Sequence, residues 1–247
     1  MASRKEEKER LRQERLANEA ASSERKAKQA KARKLAAVVG AVALVAAAAV
    51  GGVVALSGDD AAMKPGKAAA QGGWPAGEAP ADVLAITDAA ADDGDEAALE
   101  KAATAAACTL SENRDEGREH KDPGTKFAFD SNPPTSGDHV PTPADDGAYI
   151  KDVPTVPEFV HSLEHGRVIF QWNADKVTDE QIGAIKALYD DETYHLSIAP
   201  NGSDMPYAVA ATAWNNSLTC DKFTDGTLKA LRLFHLNRLD QAPENVP

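Results

Sequence analysis

Residues 35–56 are twenty-two consecutive Ala, Val, Leu and Gly residues, and this run divides the chain into parts that must fold under different rules. As a helix it is about 33 Å long, enough to cross the hydrocarbon of a bilayer. Arg25, Lys26, Lys28, Lys31, Arg33 and Lys34 crowd its N-terminal side, while Asp59 and Asp60 follow it. That bias predicts a cytoplasmic N-terminus, a cell-membrane location and an extracytoplasmic C-terminal part. A secretory signal cleaved near residues 56–57 and a buried core helix are the competing readings. Signals have shorter apolar cores and shorter basic leads, so the adopted reading is an uncleaved single-pass transmembrane helix.

Charge divides along the same line. Residues 1–34 carry twelve Lys/Arg against six Glu, leaving fifteen Lys/Arg against thirty-three Asp/Glu in residues 35–247. The first segment has no aromatic and no apolar stripe, so it reads as a charged helix or a disordered arm. Its basic end either rests on anionic headgroups or serves only as a topology signal. The acidic remainder argues against a nucleic-acid partner.

Residues 57–102 read as an Ala/Gly/Pro-rich linker or stalk, with Trp74 exposed or near headgroups; a helix over 95–106 leading into Cys108 is a stalk or the first element of the domain. Residues 103–247 are long enough for one modest core. A short helix around Pro157 should carry His161 and His165 and end at Gly166, followed by a strand over 167–172. Thr178-Asp179-Glu180-Gln181 is a capping box, and Ile182, Ile185, Leu188 and Tyr189 recur at helical spacing after it. Strands are expected over 195–198 and 207–212, and a final helix from Thr224 or Asp225 should bury Leu228, Leu231, Phe234 and Leu239. The fold class is a small mixed α+β sandwich with few strands, preceded by the transmembrane helix and the charged arm.

Two cysteines, Cys108 and Cys220, with no CxxC between them, read as a disulfide in an outward domain. Three of the six histidines fall within Pro133-Pro134-Thr135-Ser136-Gly137-Asp138-His139 and Val160-His161-Ser162-Leu163-Glu164-His165-Gly166. On a helix His161 and His165 share a face, so His139, His161 and His165 form a candidate metal site for Zn or Cu. Glu164 is its fourth ligand or orients a ring. The competing reading is a structural cluster of hydrogen-bonded histidines on a non-catalytic domain that meets an envelope protein partner. A third is a zinc hydrolase, since His161 to His165 has the HxxEH spacing and Glu244 could complete it. No nucleophile elbow or phosphate-binding glycine loop is present, so no catalytic residue is assigned. His120, among Arg118, Glu119 and Lys121, is expected to be solvated, and His195 and His235 to satisfy local hydrogen bonds.

In combination, several segments resemble a bacterial, chiefly actinobacterial, family catalogued as domain of unknown function 3105. They are Cys108-Thr109, the 133–139 segment, Gly147-Ala148-Tyr149, the 160–166 segment, Ala211-Thr212-Ala213-Trp214, Cys220 and Ala242-Pro243-Glu244. The resemblance covers residues 103–247. It implies one N-terminal anchor and an outward domain, and it brings no established activity. One departure is Asp138, where the family pattern has proline before the histidine.

Overall fold

The structure is a computed structural model that describes residues 73–87, 96–244 and 246. The arm at 1–34, the apolar run at 35–56 and the remainder of the expected linker, 57–72 and 88–95, lie outside the described residues. Among the described residues no helix is long and apolar enough to cross a membrane.

The chain forms α1 (Ala81–Leu84), α2 (Glu96–Ala105), β1 (Cys108–Glu112), α3 (Val156–Glu164) and β2 (Val168–Trp172). There follow α4 (Asp179–Asp191), β3 (Leu196–Pro200), β4 (Val209–Ala213), β5 (Asn216–Cys220) and α5 (Thr227–Arg238). The strands make one sheet in the order β1-β5-β4-β2-β3. Only β2 and β3 run parallel, joined through α4, with Val168 opposite Leu196 and Phe170 opposite Ile198. Every residue of β2, β3 and β4 is buried, as a sheet covered on both faces requires.

Alternation along the strands sorts two cores. Val168, Phe170, Trp172, Ile198, Ala211 and Leu218 pack with α1, α2, α4 and α5 in the larger one. Ile169, Ala199 and Trp214 meet Phe159, Val160 and Leu163 of α3 in the smaller one. The domain is therefore a mixed α+β unit in which α3 sits apart from the other helices. Two expected elements begin where their caps place them. Thr178 accepts from the Gln181 amide at the start of α4, and the Thr155 amide and hydroxyl donate to Glu158 at the start of α3.

Two expectations are corrected. Three strands were expected and five are present among the described residues; β1 and β5 are rich in polar Ser, Thr and Asn, so their apolar alternation is weak. The folded body also begins well before residue 103. Val83, Leu99 and Ala102 belong to the larger core, and Trp74 meets Trp172 edge to face at 6.0 Å. The alanines that resemble a stalk let helices approach closely. Gly77 and Gly183 do the same for backbone, because a Cβ on Gly77 would lie 2.4 Å from the Ala184 nitrogen.

Cys108 and Cys220 form a disulfide across directly opposed positions of β1 and β5. The bridge closes a loop spanning 112 residues, for which chain-entropy arguments give about 4–5 kcal/mol of stabilisation. Replacing both cysteines by alanine should lower the urea midpoint by a loss of up to that size, and an unchanged midpoint would show that the bridge contributes nothing.

Candidate metal centre

Helix α3 holds the site against the sheet. Its last residue is Glu164; His165 is the C-cap, and Gly166 at φ +85° ends the turn. Gly166 must be small as well as left-handed, since a Cβ there would lie 2.9 Å from the Asp240 Cα. The loop at 133–139 approaches α3 from the side. Gly137 takes φ +127° with the Phe129 ring 2.9 Å from where its Cβ would stand. The Ser136 hydroxyl accepts from the Glu116 amide and donates to the Arg114 carbonyl.

A short parallel ladder then sets His120 beside His139. The Gly137 amide donates to the Gly117 carbonyl at 3.0 Å, His139 to Glu119 at 3.0 Å, and Lys121 to His139 at 2.7 Å. Asp138 supports this ladder, with its carboxylate accepting from the Glu119 amide at 3.0 Å and facing Lys121 at 3.6 Å. The Asp138 carboxylate thus holds the His120 segment.

One nitrogen of His120, of His139 and of His161 and one oxygen of Glu164 all lie within 4.8 Å of one another. His139 Nδ1 donates to the Gly137 carbonyl and His161 Nδ1 to the Val140 carbonyl, both at 2.8 Å. Because a carbonyl only accepts, the proton of each neutral ring is fixed on Nδ1 and the Nε2 lone pair is left for the cluster. His139 Nε2 lies 3.1 Å from Glu164 Oε2, with the two side chains 0% and 2% exposed. Close as they are, the two atoms do not meet in hydrogen-bond geometry, and each is buried with no hydrogen-bond partner. Two buried electron-pair donors facing each other repel unless a proton or a metal cation lies between them.

Burial pushes the His161 pKa down from 6.5 to about 4, against the raising effect of the Val140 bond, and His165, His139 and His120 repel a proton further. Burial likewise raises Glu164, although His139 and His120 oppose it. For His165 burial and then Arg167 lower the pKa.

Of the four expected ligands, His139, His161 and Glu164 are brought together, and His120 completes the group with a side chain 46% exposed. His165 stands on the flank, its Nε2–H donating to His161 Nε2 at 3.1 Å and lying 3.5 Å from Glu244 Oε2. The expectation that His120 is merely solvated is corrected. Its neighbours in sequence are charged, and its partners lie nineteen or more positions away, so no local pattern marks it. His195 bonds Asp240 at 2.7 Å and His235 the Tyr194 carbonyl at 3.1 Å, both as expected.

This site and sheet define a mixed α+β domain carrying a buried His/Glu cluster able to hold a metal ion. The chain belongs to the family described as Protein of unknown function (DUF3105), whose model matches residues 120–246 and so takes in every donor named above. Comparison with curated proteins and with solved structures finds no match.

With a chelator present, His161 should stay neutral down to about pH 4, whereas its counterpart in the unfolded chain protonates near 6.5. Unfolding then takes up a proton between those values, so stability falls as pH drops through that window. NMR titration of the ring checks this, and a midpoint near 6.5 would contradict it.

Proposed function

We propose that the domain binds one divalent metal ion, Zn or Cu, through His139, His161, Glu164 and His120. The observation that carries the reading is the buried approach of His139 Nε2 to Glu164 Oε2 at 3.1 Å without a hydrogen bond. With metal–nitrogen bonds of 2.0–2.1 Å, tetrahedral ligands lie about 3.3 Å apart. The His139–Glu164 pair already has that spacing, and the other donors need only draw inward. The Gly137 and Val140 carbonyls would serve as the outer partners that fix ring tautomer and orientation.

Four protein donors close a tetrahedral site, which favours a structural or carrier role over catalysis. An HxxEH hydrolase keeps its glutamate off the metal to activate water, whereas the Glu164 oxygen converges with the imidazoles here. We further propose that the run at 35–56 anchors the chain in the cell membrane and presents the domain outside it, where it meets an envelope protein partner. The apolar length and the charge bias support the anchor.

Calorimetric titration of the full chain in mild detergent, with Zn2+ and with Cu2+, should give one ion per chain. His139→Ala and Glu164→Gln should each weaken binding at least about tenfold to a hundredfold, and His120→Ala should also weaken it. No binding by the chelator-washed wild type would overturn the reading.

A further inference from the structure

A site closed by four protein donors poses a kinetic problem. An ion held by four donors leaves slowly unless a fifth donor takes its place in the shell before another lets go. Such a donor lies on the His161 flank. His165 Nε2 hydrogen-bonds His161 Nε2 at 3.1 Å, with His165 as the donor because the His161 proton sits on Nδ1, and the same atom lies 3.5 Å from Glu244 Oε2. An ion entering there takes the place of that proton, at distances close to the ligand spacing of about 3.3 Å in a tetrahedral shell.

Exposure rises along this line of donors. Glu164 and His139 are 2% and 0% exposed, His165 is 13% exposed and Glu244 is 52% exposed. Because His161 Nδ1 is committed to the Val140 carbonyl, its Nε2 is the one atom that can serve an ion on either side. It is therefore shared between an inner and an outer position, which cannot be filled together through it. The backbone keeps the outer donors in reach. The Glu244 amide donates to the Glu164 carbonyl at 3.1 Å, and Arg167 Nη1 donates to the His165 carbonyl at 2.9 Å and to the Val246 carbonyl. The carboxylate of Glu244 stays free to turn toward solvent.

We propose that His165 and Glu244, with His161 as the shared ligand, form an outer exchange position through which a divalent metal enters and leaves the inner donor set. The proposal rests on the metal-binding reading above and adds a route for transfer. It makes the domain a carrier that hands its ion to another chelating molecule, with the incoming ligand meeting the ion at the His165 face. On the opposite flank the ladder holds the His120 backbone beside His139, and the His120 ring, 46% exposed, is the direct route against which the outer position is tested.

The test uses the full chain in detergent loaded with one equivalent of Zn2+, with stopped-flow transfer to a chromophoric chelator and calorimetry for Kd. His165→Ala and Glu244→Gln should slow both uptake and release about tenfold while Kd stays within about threefold. Glu244 lies at the surface, so its variant remains informative if His165→Ala fails to fold. Unchanged rates would show that the ion passes His120 directly, and a Kd that weakens in step with release would make His165 an ordinary ligand; either result overturns the proposal. A wild type that takes up no Zn2+ defeats the underlying reading instead, and the calorimetry reveals that before any variant is made.

Discussion

Two backbone carbonyls govern the chemistry of this domain. Gly137 and Val140 each take the Nδ1 proton of a buried histidine, and in doing so they decide which nitrogen of His139 and of His161 faces inward. A neutral imidazole has one proton to give. Once it is spent on the backbone, the opposite lone pair needs a donor or a cation: His161 Nε2 takes the His165 N–H, whereas His139 Nε2 has no hydrogen-bond partner. The remaining features of the site follow from this. Glu164 is held against an acceptor rather than a donor, its carboxyl is pushed toward the protonated form by burial, and His161 resists protonation in the same surroundings.

The fold can sustain such a cluster because the two cores divide the tasks. The larger core, packed by four helices on one face of the sheet, supplies the bulk of the apolar burial. The smaller core needs only to seat α3, through Phe159, Val160 and Leu163. That leaves His161 and Glu164 to meet a loop made of turns, whose polar backbone can be used for orientation. Glycine and proline in the 133–139 segment place carbonyl oxygens where a helix or strand would have hidden them in its own hydrogen bonds.

Much of this was legible from local pattern. The capping box at Thr178, the Pro157 and Gly166 ends of α3, the helical spacing on α4 and α5, the apolar strands β2 and β3 and the pairing of the two cysteines all rest on short-range rules or on simple chemistry. What escaped were contacts that depend on distant pairing. The β4–β5 hairpin turns through Trp214 and Asn215, and Asn215 at φ +58° is the left-handed residue such a turn uses. The Asn-Asn pair at 215–216 was the available signal for it. His120 offered less, since its place beside His139 is set by a ladder of backbone bonds with no side-chain pattern. His165 was assigned to the ligand set by its helical spacing, but α3 stops at Glu164, and the His165 ring settles outside the group that converges on Glu164.

The disulfide has a mechanical meaning for a chain pulled at its two ends. Tension entering ahead of residue 108 can peel α1 and α2 away from α5, but at Cys108 it crosses the sulfur bridge to Cys220 and continues toward the C-terminus. Residues 109–219 lie off that line of force, as a slack covalent ring containing His120, His139, His161, Glu164 and His165. Glu244 lies outside the ring, on the loaded path. Stretching the chain would therefore draw Glu244 away while leaving the other five side chains within their covalent enclosure, so the same crosslink that stabilises the sheet also separates the flank of the site that can feel a pull from the interior that cannot.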